Sequence, residues 1–251
     1  MISARAKEAL RRTAQWEKRT LGLGARLPAV LKRPFARAIR KKLLPEGRRF
    51  IAADKLEQLF LALKESGATY VIIRWFEALP LHPEGDIDFL IADSALPAIE
   101  RLVSCERGGI PCDLYSESGC RGFRYGNIPY YPPSLARRIL ERRTLHKELV
   151  SVPCPEDHFF SLAYHCLYHK GLDCGLPTSQ RSLRTASRPN HDYLGVLAAL
   201  ASELGLKVEL NMEALESLLH DSGWRPDRST LERLAVDNVW IQNYLGVDPA
   251  G

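Results

Sequence analysis

The chain has 251 residues and a formal net charge of +5, with 45% hydrophobic and 26% charged residues, a balance that supports a hydrophobic core and excludes a disordered or collagen-like chain. No apolar run reaches the ~20 residues that a membrane-spanning helix needs. The charged N-terminus does not look like a secretory signal, so the cytoplasm is the expected location.

Charge is unevenly spread. Residues 1–49 carry fifteen Lys/Arg against three Asp/Glu, a net +12, and the remaining residues carry twenty against twenty-seven, a net −7. The expected organisation is a basic helical arm over 1–49, an α/β core over 50–131 and a helical domain over 132–251. In the arm, Leu27, Leu31, Phe35 and Ile39 recur at helical spacing among Lys and Arg. A basic amphipathic helix of this kind lies on an anionic membrane surface, binds nucleic acid, or packs on its own domain. Nucleic acid is the least favoured of the three, because few aromatic residues interleave the charges. The membrane alternative would place the protein peripherally at the inner face.

Ile51 to Ser66 reads as an amphipathic helix with Leu56, Leu59, Phe60 and Leu63 on its apolar face and Gly67 after its end. Tyr70 to Ile73 is a β-branched strand. After a loop with two prolines, Asp86-Ile-Asp-Phe-Leu-Ile91 is a second strand. Residues two apart on a strand share a face, so Asp86 and Asp88 project together while Ile87 and Phe89 face the other way. Ser94 is positioned to cap a helix to about Val103, and Gly109 to Tyr115 is a further strand that carries Asp113. A sheet that sets this strand beside the acidic one brings Asp113 to the pair. Three carboxylates suit Mg²⁺ or Mn²⁺ and the two-metal chemistry of displacement at phosphorus.

Gly119 to Tyr131 is a Gly- and Tyr-rich loop or hairpin. Its Arg121, Arg124, Tyr125, Tyr130 and Tyr131 either contact phosphate and stack on a base or sugar, or are ordinary surface residues of a hairpin. Pro132-Pro-Ser134 breaks the chain ahead of a helix, Leu135 to about Thr144, with Arg137, Arg138, Arg142 and Arg143 on it. A run like that is either a solvated face or a phosphate site. Glu156 to Lys170 is a strong helix closed by Gly171. On it His158, His165 and His169 fall near one face, and they are packed residues, metal ligands or, with Lys170, substrate contacts. Leu172 to Pro189, with Arg181, Arg184 and Arg188, reads as a mobile loop, either free or one that orders on an anionic ligand. Helices follow over His191–Leu204 (capped by Asn190), Asn211–His220 and Leu231–Leu245. The six cysteines (Cys105, Cys112, Cys120, Cys154, Cys166, Cys174) form no Cys-x-x-Cys pair and read as reduced structural thiols.

A strand, a loop, Asp-hydrophobic-Asp on a second strand and a lone Asp on a later one resemble the DNA polymerase beta-type nucleotidyltransferase superfamily. The likeness is nearest to small bacterial members with a DIDLLV-type motif and a later helical domain, and it covers roughly Leu56 to Tyr115. It implies a small mixed sheet with flanking helices. It also implies that Asp86, Asp88 and Asp113 hold the metal and act in catalysis, with a nucleoside triphosphate or other activated nucleotide as donor. Arg74, Arg121 and Arg124 are then the candidate contacts to that donor, and Tyr125, His165, His169 and Lys170 the candidate contacts to the acceptor. The expected activity is Mg²⁺-assisted transfer of a nucleotidyl or phosphoryl-linked group to a small acceptor such as a saccharide or a lipid-linked glycan precursor. One departure stands out. Members usually carry Gly-Ser or Gly-Gly after the first strand, where this chain has Arg74-Trp75-Phe76. That departure favours, as alternatives, a catalytically inactive binding or scaffolding protein of the same fold, or a membrane-peripheral adaptor acting through the arm.

Overall fold

The computed structural model describes residues 49–83, 85–104, 109–121, 128–180 and 189–249. The readings made for the basic arm, Arg124, Tyr125 and the 181–188 arginines lie outside the described residues. The fold is mixed α/β, with a four-stranded sheet in the order β1-β4-β3-β2 and a separate two-stranded hairpin.

The first strand, β1 (Arg49–Ile51), pairs antiparallel with β4 (Ile110–Ser116). Ile51 therefore belongs to the sheet and not to the helix expected from residue 51. Its pairing with Ile110 overrides local preference, and the helix α1 begins later, at Leu56–Glu65. Leu56, Leu59, Phe60 and Leu63 are its buried face, as the spacing requires, and Gly67 turns the chain with φ +65°.

The central strands follow the expected order. β2 (Tyr70–Ile72) runs antiparallel to β3 (Ile87–Ile91), and β3 runs parallel to β4 through the crossover helix α2 (Leu96–Leu102). No side chain caps α2. Its N-cap is Ala95, one residue beyond the expected Ser94. Period-two alternation divides the sheet between two cores. Ile72, Ile87, Phe89, Ile91 and Leu114 pack with α1, while Val71, Leu90 and Tyr115 pack with the C-terminal helices.

Pro132 and Pro133 open α3 (Pro133–Glu141), without a side-chain cap from Ser134. A hairpin that periodicity did not disclose follows, β5 (Thr144–His146) and β6 (Val150–Val152), just beyond the end expected for the helix at about Thr144. Unlike β2, which lies in the continuous apolar run Tyr70–Ile73, these short strands are interrupted by polar residues and offer neither an apolar run nor an alternation long enough to read. Then α4 (Pro155–Tyr164) widens into a π-helical turn, His165–Lys170. Gly47 to Gly251 make one compact unit.

The helical layer is completed by α5 (Tyr193–Leu204), α6 (Met212–Asp221), α7 (Arg228–Ala235) and α8 (Val239–Tyr244). Asp192, not Asn190, caps α5, accepting from the Gly195 N–H at 2.9 Å. The helix expected over 231–245 is two helices, because Asn238 breaks it. Asn238 caps α8 by accepting from the Ile241 N–H at 3.3 Å, and its amide donates to the Leu167 and Tyr168 carbonyls at 2.7 and 3.2 Å. This one buried side chain ties the end of the domain to the π turn.

Gly171 closes that turn with φ 56° and ψ −135°, a region essentially reserved for glycine. A Cβ there would lie 2.3 Å from Asn238 Oδ1. Gly171→Ala is therefore expected to cost about 3 kcal/mol or more, from backbone strain plus the displaced cap. Urea denaturation of the two proteins measures it.

Candidate functional site

Asp88 and Asp113 are direct neighbours. The parallel register of β3 and β4 sets Asp88 opposite Asp113, so their Cα atoms stand about 4.8 Å apart with both side chains on one face. Asp88 is buried, Asp113 is half-buried, and Asp86 is exposed just ahead of β3. The sheet thus brings the third predicted carboxylate to the second.

Asp88 also has a partner that sequence spacing did not give. Arg74, at the end of β2, reaches Asp88 Oδ2 through Nη2 at 2.7 Å, with both side chains under a tenth exposed. Three influences set the carboxyl of Asp88. Burial raises its pKa, Arg74 lowers it and the neighbouring Asp113 raises it, leaving it above the ordinary value. Burial works against the Arg74 charge, but Asp88 together with Tyr130, Tyr131 and Tyr115 outweighs it, so the guanidinium stays protonated. Arg74 Nη1 is buried with no hydrogen-bond partner.

Arg74 owes its aim to an uncommon backbone. The next residue, Trp75, takes φ +54°, a left-handed conformation that a bulky residue adopts only when its surroundings hold it there. The hold is visible. The indole stacks on His191 at 4.1 Å and 12° and meets the Tyr193 ring edge-on at 5.4 Å.

The π turn supplies the opposite wall. A π-helical turn admits one more residue per turn than an α-helix, and such insertions recur at functional sites. Lys170, half-buried, is close enough to Asp88 to act on its charge. Tyr130 joins the two walls. The Arg74 guanidinium lies 5.3 Å from its ring centre. His165 Nδ1 is 2.5 Å from its hydroxyl, and the His169 Nε2–H donates to its carbonyl at 2.8 Å. The His169 ring stacks on Tyr130 at 3.9 Å. Burial pushes the pKa of His165 well below the usual value, with Arg74, His169 and Lys170 adding to it, so the ring is neutral. His165 Nε2 is buried without a partner.

Tyr115 lies two residues beyond Asp113 on the same face. Its hydroxyl donates to Asp113 Oδ2 over a long 3.5 Å. Sequence reasoning passed over it, although the period-two rule that paired Asp86 with Asp88 also pairs Asp113 with Tyr115.

Other expected contacts fall elsewhere. Arg121 is bound to Glu100 of α2 at 2.7 and 2.6 Å, and its carbonyl accepts from the Ser116 N–H at 2.7 Å. That places it three residues along β4 from Asp113, about 10 Å away. His158 is buried against Phe76, the ring centres 5.0 Å apart, and not beside His165. The arginine run on α3 is neither bare nor a phosphate cradle. Arg138 pairs with Asp157 at 2.7 Å and Glu156 at 2.8 Å, and Arg142 with Glu156 at 2.6 Å, at the positive end of α4. Two open cavities, of about 420 and 300 Å³, lie along α3 and the β2 end of the sheet, and neither is lined by Asp88 or Asp113.

The donor set fits a divalent cation. Asp88 and Asp113 offer hard carboxylate oxygens side by side on rigid strands, and Asp113 and Asp86 are reachable from solvent. Among the described residues no group of three or more His, Cys, Asp or Glu side chains forms a ready metal cluster. No helix among them is long and apolar enough to cross a membrane. No family model, curated protein or solved structure matches the chain.

Proposed function

We propose that this chain is a nucleotidyltransferase-like enzyme that moves a nucleotidyl or phosphoryl-linked group from an activated nucleotide to a small hydroxyl-bearing acceptor, with Mg²⁺ or Mn²⁺ bound at Asp88 and Asp113. The carrying observation is the register that sets Asp88 against Asp113 on parallel strands, with Lys170 near enough to act on the Asp88 charge. A divalent cation held by these oxygens supplies charge neutralisation at the phosphoryl group.

The chain's own residues do the rest. Asp113 is the more open carboxylate and the better placed to take the proton of an acceptor hydroxyl. Lys170 stands across from the pair as a cation for phosphate oxygens. The left-handed turn at Trp75 supports the reading, since it bends the backbone tightly after β2, where the superfamily that the sequence resembles has a glycine turn. The acceptor class, a saccharide or lipid-linked glycan, and a role for residues 1–49 at an anionic membrane belong to the same proposal.

A second reading has its own observation. The buried Arg74–Asp88 pair favours a nucleotidyltransferase-like fold retained for binding, with no turnover. Asp113→Asn decides between them. In the enzyme, loss of a general base is expected to lower turnover by ~100-fold or more while the thermal midpoint holds. Product formation is read with a panel of nucleoside triphosphates and saccharide acceptors. Absence of turnover in the unaltered protein across that panel leaves the binding reading.

A further inference from the structure

Asp88 carries two demands that do not sit together. Its carboxylate is one of the pair offered to a cation, and it is also the counter-ion of a buried arginine at 2.7 Å. Counting charges makes the conflict plain. Asp88 has one like-charged neighbour, Asp113, and two cations, Arg74 and Lys170, already acting on it. Asp86 adds one exposed carboxylate at the mouth. A divalent ion arriving at Asp88 meets a guanidinium already in place, and like charges at contact distance in a poorly screened site repel strongly.

We propose that Arg74 is a built-in occupant of the cation position, so that a divalent ion and the guanidinium compete for the Asp88 carboxylate. Binding of the ion then means withdrawal of Arg74 from Oδ2. This rests on the metal-dependent reading above and adds a gate to it.

Besides Asp88, the guanidinium is held by hydrogen bonds to the neutral hydroxyls of Tyr130 and Tyr131, partners that stay beside it when an ion takes up the carboxylate. The aromatic wall offers the displaced group a surface, since the guanidinium already lies 5.3 Å from the Tyr130 ring centre and charged planar groups pack on such faces. The turn at Trp75 is strained, and strain next to a charged side chain is where two arrangements come close in energy. A released Arg74 also becomes the donor-rich fork that a phosphoryl group accepts.

Mn²⁺ binding to the full chain, followed by the electron paramagnetic resonance of the free ion, tests this without turnover. Arg74→Gln is expected to bind Mn²⁺ at least ~10-fold more tightly than the unaltered protein, the effect of removing one unit charge at contact. Arg74→Lys, which keeps the charge, retains the weak binding. Adding Asp88→Asn to Arg74→Gln abolishes the gain. Equal or weaker binding by Arg74→Gln overturns the competition and leaves the metal reading standing. No Mn²⁺ bound by either protein defeats the metal reading and the gate together. Should Arg74→Gln not fold, the guanidinium ¹⁵N signals of the unaltered protein decide. Those of Arg74, identified by their loss in Arg74→Lys, are expected to shift or vanish as Mg²⁺ is added. Unchanged signals at saturating Mg²⁺ overturn the proposal.

Discussion

Replacing Asp88 with alanine is expected to cost about 3–5 kcal/mol of folding stability, the range for breaking one half of a buried ion pair. Arg74 and Asp88 are both under a tenth exposed and 2.7 Å apart, so removing the carboxylate strands a guanidinium where water cannot reach it. The pair itself contributes far less than that figure, because each charge was desolvated to form it. The double change Arg74→Met with Asp88→Leu is therefore expected to recover most of the loss. Guanidinium chloride titrations of Arg74→Met, Asp88→Leu, the double variant and the unaltered protein complete a double-mutant cycle. A double variant as unstable as the sum of the singles would mean that the two side chains do not act as a pair.

The second large effect is acid sensitivity carried by His158. Its ring is buried against Phe76, and burial brings its pKa down from 6.5 to about 4. The sign follows from the depressed value. Between pH 6.5 and 4 the unfolded chain takes up the proton and the folded one does not, so stability falls as pH drops through that window. A shift of this size is worth about 3 kcal/mol in full, of which about 2 kcal/mol is lost between pH 7 and pH 5. His165 acts in the same direction, its pKa also held down by burial. His158→Phe is expected to keep its stability at pH 5 better than the unaltered protein, since it has no proton to gain. Denaturation midpoints of both proteins at pH 7 and pH 5 read the difference. Parallel losses in the two would assign the acid limb to other groups.

These two effects share a cause, which is burial. The acidic strand carries Asp88 on the face that packs with the helical layer. It therefore places a charge inside the fold and balances it with Arg74. The helical layer that covers this pair lowers the dielectric around it. The same burial that keeps His165 neutral makes the Asp88–Arg74 attraction strong.

Much of the architecture was legible without coordinates. Period-two patterning put Ile87, Phe89 and Ile91 on one face and Asp88 and Leu90 on the other, and the two cores divide in that way. The α1 face and the glycine stops at Gly67 and Gly171 follow from local rules that hold wherever the segment sits, whereas the caps expected at Ser94 and Asn190 fall to Ala95 and Asp192. Short strands escaped notice, because three residues at β1, β5 or β6 carry no period, and the extra turn of helix read at 231–245 hid the buried Asn238.

What local chemistry determined was which residues lie on the same face of the same element. Only the packed chain decided which elements meet. The β3–β4 register chose Asp113 as the neighbour of Asp88, and a strained turn chose Arg74 as its partner. The widening of α4 chose His165, His169 and Lys170 as the facing wall. Burial then set the charge that each of them carries. Those choices depend on contacts between residues far apart in the chain and on how much water is excluded around them, and a single chain position encodes neither.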